Sequence, residues 1–421
     1  MVKINPFCGL RYNQEKVKDF NLVITPPYDV INEQQKKEYY ASSPYNAARL
    51  ILPDSPQKAA SDLKDWQEKG ILKQDDKESI YIYLQEFSFK GKQYLRKSFI
   101  SLIELEEFGK GVLPHERTLE KPFKGRLELL DATRANFGCV FMLYDDRKKA
   151  TDKLMDEQCK REPDMMFSDN SGISHKLWKI SDNGFIENLK NELVKYQCVI
   201  ADGHHRYRSA LKFRDEHPEI AGGKYCMCGF VNSFSEGLLI LPIDRFVHDV
   251  DIGREELIER ISEHFEVLEI EDVKKLVEIL EHTKVLIDKA KNLKNHVFGM
   301  YSCADNKSYF LKLKNRGIMD SFFPDRSDAY RKLDVNILHK LIFEGIIGIS
   351  QEAQSQGTYI EYSKEHSRNI SACDRFQYLF FINAPLMREI FLTARAGETM
   401  PQKSTFFYPK IYSGLVINKI G

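Results

Sequence analysis

The chain contains no run approaching about 18 consecutive apolar residues, the length that a membrane-spanning helix requires. It also lacks, near Met1, the basic start followed by an apolar stretch that marks a secretory leader. A membrane partner is therefore not expected, and the location expected is cytoplasmic. Charge of one sign is missing too: Lys plus Arg and Asp plus Glu are equal at 62 each. Without a bulk positive field, nucleic acid is not expected as a partner, although a cleft can still concentrate cations for a small phosphorylated ligand. The Walker loop, the protein-kinase catalytic loop, the Gly-x-Gly-x-x-Gly turn and the His-Glu-x-x-His zinc signature are all absent. The eight cysteines are scattered and form no metal array. Cys226 and Cys228, one residue apart, share a face of an apolar strand and read as buried thiols in a reduced protein.

What is present is ordinary globular material, 42% hydrophobic and 29% charged over 421 residues. That length implies at least two packed units. The prolines of Ile24-Thr25-Pro26-Pro27-Tyr28-Asp29 exclude a helix and set a rigid turn before a polar helix at 33–40. Residues 59–70 have helical spacing with a Gly stop, and 79–87 and 94–105 alternate as the two arms of a hairpin. Gly109 to Thr118 is irregular, and 146–195 is charged and partly helical, an insertion with no chemical motif. From about 240 the pattern restarts. Helices are expected at 254–264, 271–282 and 335–342, strands at 284–288, 296–300 and 308–313, then an irregular 400–410 and an apolar terminal strand.

Three places carry chemistry. In Ala201-Asp202-Gly203-His204-His205-Arg206 a buried strand turns into a helix. A helix start offers unpaired N–H groups and positive dipole density for phosphate, and Gly203 allows close backbone approach. Asp202 as a plain helix cap is the simpler alternative, but two His and an Arg exceed what a cap needs. In His115-Glu116-Arg117, Glu116 is a candidate base for an alkyl hydroxyl, against an ordinary exposed pair with Arg117. Pro401-Gln402-Lys403-Ser404-Thr405 is rich in donors for phosphate oxygens, or is a polar loop.

Taken in order, these motifs resemble the free L-serine kinases of the ParB/sulfiredoxin-like superfamily. Over nearly the whole chain, the sequence also resembles a bacterial family catalogued as a domain of unknown function. Its marks here are Pro26-Pro27-Tyr28-Asp29-Val30-Ile31, Leu113-Pro114-His115-Glu116-Arg117-Thr118, Asp202-Gly203-His204-His205-Arg206-Tyr207, Leu333-Asp334-Val335, and Lys403-Ser404-Thr405-Phe406-Phe407-Tyr408-Pro409-Lys410. The resemblance implies Glu116 as the catalytic glutamate, and Asp202, His204, His205 and Arg206 at the nucleotide phosphates and reaction centre. The late segment departs from the kinases' Pro-Lys-Thr-Thr by the extra Gln402 and by Ser404. Leu241-Pro242-Ile243-Asp244-Arg245 lacks the Thr-His that commonly precedes this arginine in the uncharacterised family.

The expectation is an α+β protein. Residues 1–240 form a ParB/sulfiredoxin-like nucleotide and catalytic domain, and 241–421 a second α+β domain whose C-terminal segment returns to the site. The function expected is transfer of a phosphoryl group from ATP or ADP, with Mg²⁺, to the hydroxyl of free L-serine. Glu116, Asp202 and His204 are the catalytic candidates. Gly203, His204, His205, Arg206, Lys403, Ser404 and Thr405 are the phosphate ligands, and His115, Arg117 and Arg134 the substrate contacts. Asp202 is also the candidate metal ligand. The alternatives are a kinase for another small hydroxyl compound or a ParB-like nucleotide switch. A sulfiredoxin-like reductase is disfavoured because Cys198, the nearest thiol, falls on the buried strand.

Overall fold

The computed structural model describes residues 1–117, 120–289, 295–364 and 373–420, so Thr118 of the Leu113–Thr118 motif lies outside the described residues. The chain forms two compact units. The first comprises Met1–Pro114, Thr118–Leu239 and Phe407–Gly421; the second comprises His115–Arg117 and Ile240–Phe406. The change near residue 240 falls where the sequence pattern restarts. The C-terminal residues from Phe407, however, belong to the first unit, and the short His-Glu-Arg segment to the second.

The first unit is built on a nine-stranded mixed sheet. Its strands are β1 (Ile4–Asn5), β2 (Ile80–Phe89), β3 (Lys92–Glu104), β4 (Val112–Leu113), β5 (Val140–Tyr144), β6 (Met165–Ser168), β7 (Ser174–Ile180), β8 (Cys198–Asp202) and β9 (Tyr225–Asn232). They run in the order β4-β8-β5-β9-β3-β2-β7-β6, with β1 also on β3. β4 with β8 and β5 with β9 are the parallel pairs. The expected hairpin is β2–β3, closed at Lys90-Gly91, both with positive φ. Central strands β5 and β8 are apolar because both faces are covered. Their inner face packs with Tyr207 and Leu211 of α1 (His204–Glu216) and with the helix Asn183–Leu193 in one apolar core.

Residues 146–195, expected as an insertion without a chemical motif, supply β6 and β7 to this sheet, and β7 pairs along its whole length with β2. Leu177 and Ile180 of β7 are buried, but the surrounding charge hides the alternation. The expected apolar terminal strand is also corrected. Ile411, Tyr412 and Leu415 to Ile417 are buried, yet this stretch makes isolated bridges, and the only strand there is the two residues Asn418–Lys419.

The second unit holds a six-stranded antiparallel sheet. Its strands are β10 (Asp244–Val247), β11 (Phe265–Ile270), β12 (Val297–Ser302), β13 (Lys307–Leu313), β14 (Ile360–Ser363) and β15 (Tyr378–Ile382), in the order β11-β13-β12-β15-β10-β14. α2 (Val273–Lys289) buries Leu276 and Leu280 on β12, and it runs through 284–288, where a strand is expected from sequence. The expected helix at 335–342 begins at Asp334 and then widens into a π-helix, Leu338–Ile347, ended by Gly348 in the left-handed region.

Six of the eight cysteines are free, Cys198, Cys226 and Cys228 being buried in strands. Cys303 and Cys373 are bonded, with Cα atoms 5.2 Å apart, so the expectation of reduced thiols throughout fails at that pair. Among the described residues, no helix is long and apolar enough to cross a membrane.

Candidate active site

In the first unit, β8 ends at Asp202 and α1 begins at His204, with Gly203 between them at φ 90° and no side chain capping the helix. Gly203 is required twice over. An L-residue is strained at that φ, and a Cβ there would stand 2.8 Å from Nε of Arg206. The guanidinium therefore folds back over the turn. Its Nη2 donates to Asp202 Oδ2 at 2.6 Å, and its Nη1 donates to the Cys139 carbonyl.

Asp202 is thus not the helix cap. Its other oxygen, Oδ1, accepts from Lys410 Nζ at 2.9 Å, across 208 residues of sequence. Burial alone raises a carboxyl pKa, but Lys410 and Arg206 outweigh it and hold Asp202 well below the usual carboxylate range. Lys410 is held in turn by the core: Gln85 Nε2 donates to its carbonyl at 3.0 Å, and the fully buried Arg96 donates to the carbonyls of Pro409 and Lys410. Burial pushes Arg96 down to about 10.

Mg²⁺ does not fit at Asp202, because both oxygens already serve cations and a third beside them meets like-charge repulsion. Among the described residues, no group of three or more His, Cys, Asp or Glu is placed to hold a metal.

His204 is buried and His205 half-buried in the first turn of α1. On the other side of Arg206, Tyr28 from the Pro-Pro-Tyr-Asp turn stands 5.9 Å from its guanidinium and 4.1 Å from that of Arg126. These three line a cavity of about 60 Å³. Arg134 is exposed at the end of the helix Glu120–Thr133, at φ 47°, and does not border that cavity.

The second unit brings together the other two motifs. The Glu116 backbone bridges Met400 in parallel, with Met400 N–H donating to the His115 carbonyl at 2.8 Å. The Glu116 carboxylate accepts the Lys403 backbone N–H at 2.7 Å, and Lys403 sits in the left-handed region at φ 56°. Buried His115 places Nε2 2.8 Å from Thr405 Oγ1, so it braces the loop. Ser404 is buried and donates its hydroxyl to the Pro401 carbonyl, closing the turn. The Lys403 and Arg117 side chains are exposed.

Arg245, to which the sequence reading gave no role, supports this loop from β10. It is 1% exposed and donates Nη2 to the Lys403 carbonyl at 3.2 Å, Nη1 to the Ile243 carbonyl, and Nε to His339 Nε2 at 3.3 Å. Because arginine only donates, His339 Nε2 must accept, which fixes the neutral ring's proton on Nδ1. Burial, and then Arg245, hold His339 well below the usual histidine range. Lys410 ends a stretch that marks the resemblance and Arg245 a stretch that departs from it, but nothing in a lone cation announces which chain segment it will meet.

The model of a family described as Protein of unknown function (DUF1015) matches residues 4–336. The chain belongs to the DUF1015 family. The matched span includes the Pro-Pro-Tyr-Asp, His-Glu-Arg and Asp-Gly-His-His-Arg motifs, while His339, the Lys403 loop and Lys410 lie beyond it. No curated protein matches the chain. Among solved structures, a free serine kinase variant in complex with ADP is 14% identical at a TM-score of 0.36, covering 74% of this chain and 88% of that one. A conserved hypothetical protein from Pyrococcus furiosus is 15% identical at 0.34, covering 72% and 89%. SbnI with C-terminal truncation from Staphylococcus aureus is 10% identical at 0.35, covering 75% and 86%.

Proposed function

We propose that this DUF1015 protein is a small-molecule kinase that transfers a phosphoryl group from ATP or ADP to the hydroxyl of free L-serine, giving O-phospho-L-serine. The observation that carries the reading is the fixed Glu116 carboxylate, held by the Lys403 amide in a loop braced by His115–Thr405 and Arg245. A serine hydroxyl is a weak nucleophile until a positioned base takes its proton. In the proposed step the serine O–H gives its proton to Glu116, the serine oxygen bonds to the terminal phosphorus, and the bond from that phosphorus to the nucleotide's bridging oxygen breaks.

The uncapped start of α1, with His204 and His205, is the proposed seat of the nucleotide phosphates. Arg206 and Lys410 hold Asp202 and so shape that turn, which makes them positioning residues. The exposed Lys403 side chain is the proposed cation for the transferred group, while Ser404 and Thr405 keep its loop in shape. A ParB/sulfiredoxin-like ancestry and a cytoplasmic setting belong to the same proposal.

The test is phosphoryl transfer by purified protein from ATP or ADP to a panel of free amino acids and small alcohols. Phosphoserine as the product supports the reading. A different phosphorylated acceptor leaves a kinase for another hydroxyl compound, and nucleotide binding without transfer leaves the switch.

A further inference from the structure

The second unit contains a cavity of about 70 Å³. Arg117, next to Glu116, lines it, as do Pro401 and Gln402, just before Lys403. The π-helix contributes His339, Lys340 and Glu344 to the same lining. A π-helix of ten residues is unusual, since such winding occurs mostly as single turns and often at functional sites. Arg245 ties the π-helix to the Lys403 loop, bonding His339 and the Lys403 carbonyl.

Size narrows the occupant. One water-sized group needs about 10–15 Å³ of such volume, so the cavity takes roughly five to seven non-hydrogen atoms. A nucleotide is several times too large, whereas a small amino acid fits.

Charge and hydrogen bonding narrow it further. Lys340 is bonded to Glu344, while Arg117 has no carboxylate partner among the described residues. One guanidinium is thus left to take a carboxylate. Asn336 and Gln354, 3% and 5% exposed, also line the cavity, and both have committed their NH₂ groups. Asn336 donates to the Tyr330 carbonyl at 2.7 Å and Gln354 to the Ile349 carbonyl at 2.8 Å. Their amide oxygens remain as acceptors, which together with Glu344 suit an ammonium group. His339, neutral, adds no second positive charge.

We infer that this cavity is the acceptor subsite, and that it selects a small zwitterionic α-amino acid, with Arg117 on the carboxylate and the Glu344, Asn336 and Gln354 oxygens on the ammonium. The inference rests on the proposed kinase function for its purpose, though not for the binding it predicts.

The experiment is calorimetric titration of the full chain with L-serine, serinamide and 3-hydroxypropanoate, alongside ATP and ADP. Wild type, Arg117→Ala and Glu344→Gln are compared. Arg117 is exposed, so its truncation leaves the fold intact. The expected result is a tenfold or greater loss of L-serine affinity in Arg117→Ala, with serinamide binding and nucleotide binding unchanged. Glu344→Gln should weaken L-serine and serinamide but spare 3-hydroxypropanoate. Serine affinity within twofold of wild type in both variants, or a wild type that binds none of the three compounds, overturns the inference. Serine binding that depends on Arg117 without any phosphoryl transfer would sink the kinase reading and leave the subsite standing.

Discussion

The carboxylate of Glu116 accepts the backbone N–H of Lys403 at 2.7 Å, across 287 residues of chain. That bond ties the two loop motifs of the second unit into one piece. Glu116→Gln keeps an acceptor for Lys403 but removes the base. We expect kcat to fall by about 10²–10⁴ with nucleotide affinity nearly unchanged, measured by steady-state kinetics and calorimetry. Equal loss of both would defeat the assignment.

Asp202 lies between Arg206 and Lys410, with side-chain exposures of 16%, 13% and 8%. Lys410→Met removes one of two cations from a largely buried carboxylate. It should destabilise the protein by about 2–4 kcal/mol in urea unfolding, because the charge left behind stays buried. A loss below about 0.5 kcal/mol would show the pair to be idle.

Gly203→Ala meets two obstacles, the left-handed backbone and the Arg206 guanidinium. The expected cost is about 2–4 kcal/mol, more than the roughly 1–2 kcal/mol of backbone strain alone. In Gly203→Ala with Arg206→Ala the steric part is relieved, so the double variant should be more stable than the sum of the singles predicts. Simple additivity would place the cost in the backbone only.

His175, stacked on Phe167 in the first unit, and His339 in the second are both held below the usual histidine range, His175 by burial against the opposing pull of Asp169. As pH falls below about 6.5 the unfolded chain takes up protons first, so stability present at neutral pH drains away toward the lower folded values. Thermal midpoints measured from pH 7.5 to 5 should fall, and His339→Gln should flatten part of the slope. A midpoint that rises on acidification contradicts this sign.

The sequence made the local turns legible wherever Gly or Pro forces the backbone. Gly91 in the hairpin, Gly203 before α1 and the Pro26-Pro27 turn all fall where they are expected. It misled where tertiary packing decides. Residues 284–288 carry an apolar run that suits a strand but continue α2, and the buried residues between Ile411 and Ile417 are held by packing on the first unit's core rather than by a ladder. The candidate catalytic and phosphate-binding residues separate in the same way. Glu116, Lys403 and Thr405 were legible from motif chemistry, and the structure joins them. Arg206 reads as a phosphate ligand in the sequence, but its guanidinium is committed to Asp202 and Cys139. The π-helix that sets His339 beside the cavity has no periodic signature, because its i→i+5 bonding shifts the helical period that sequence patterns report.

The most direct measurement is ³¹P NMR and mass detection of products after incubating the purified protein with L-serine and either ATP or ADP. The account predicts O-phospho-L-serine with at least one of the two nucleotides, formed about 10²–10⁴-fold more slowly by Glu116→Gln. Nucleotide binding with no phosphomonoester formed from serine or any other hydroxyl compound offered would contradict it.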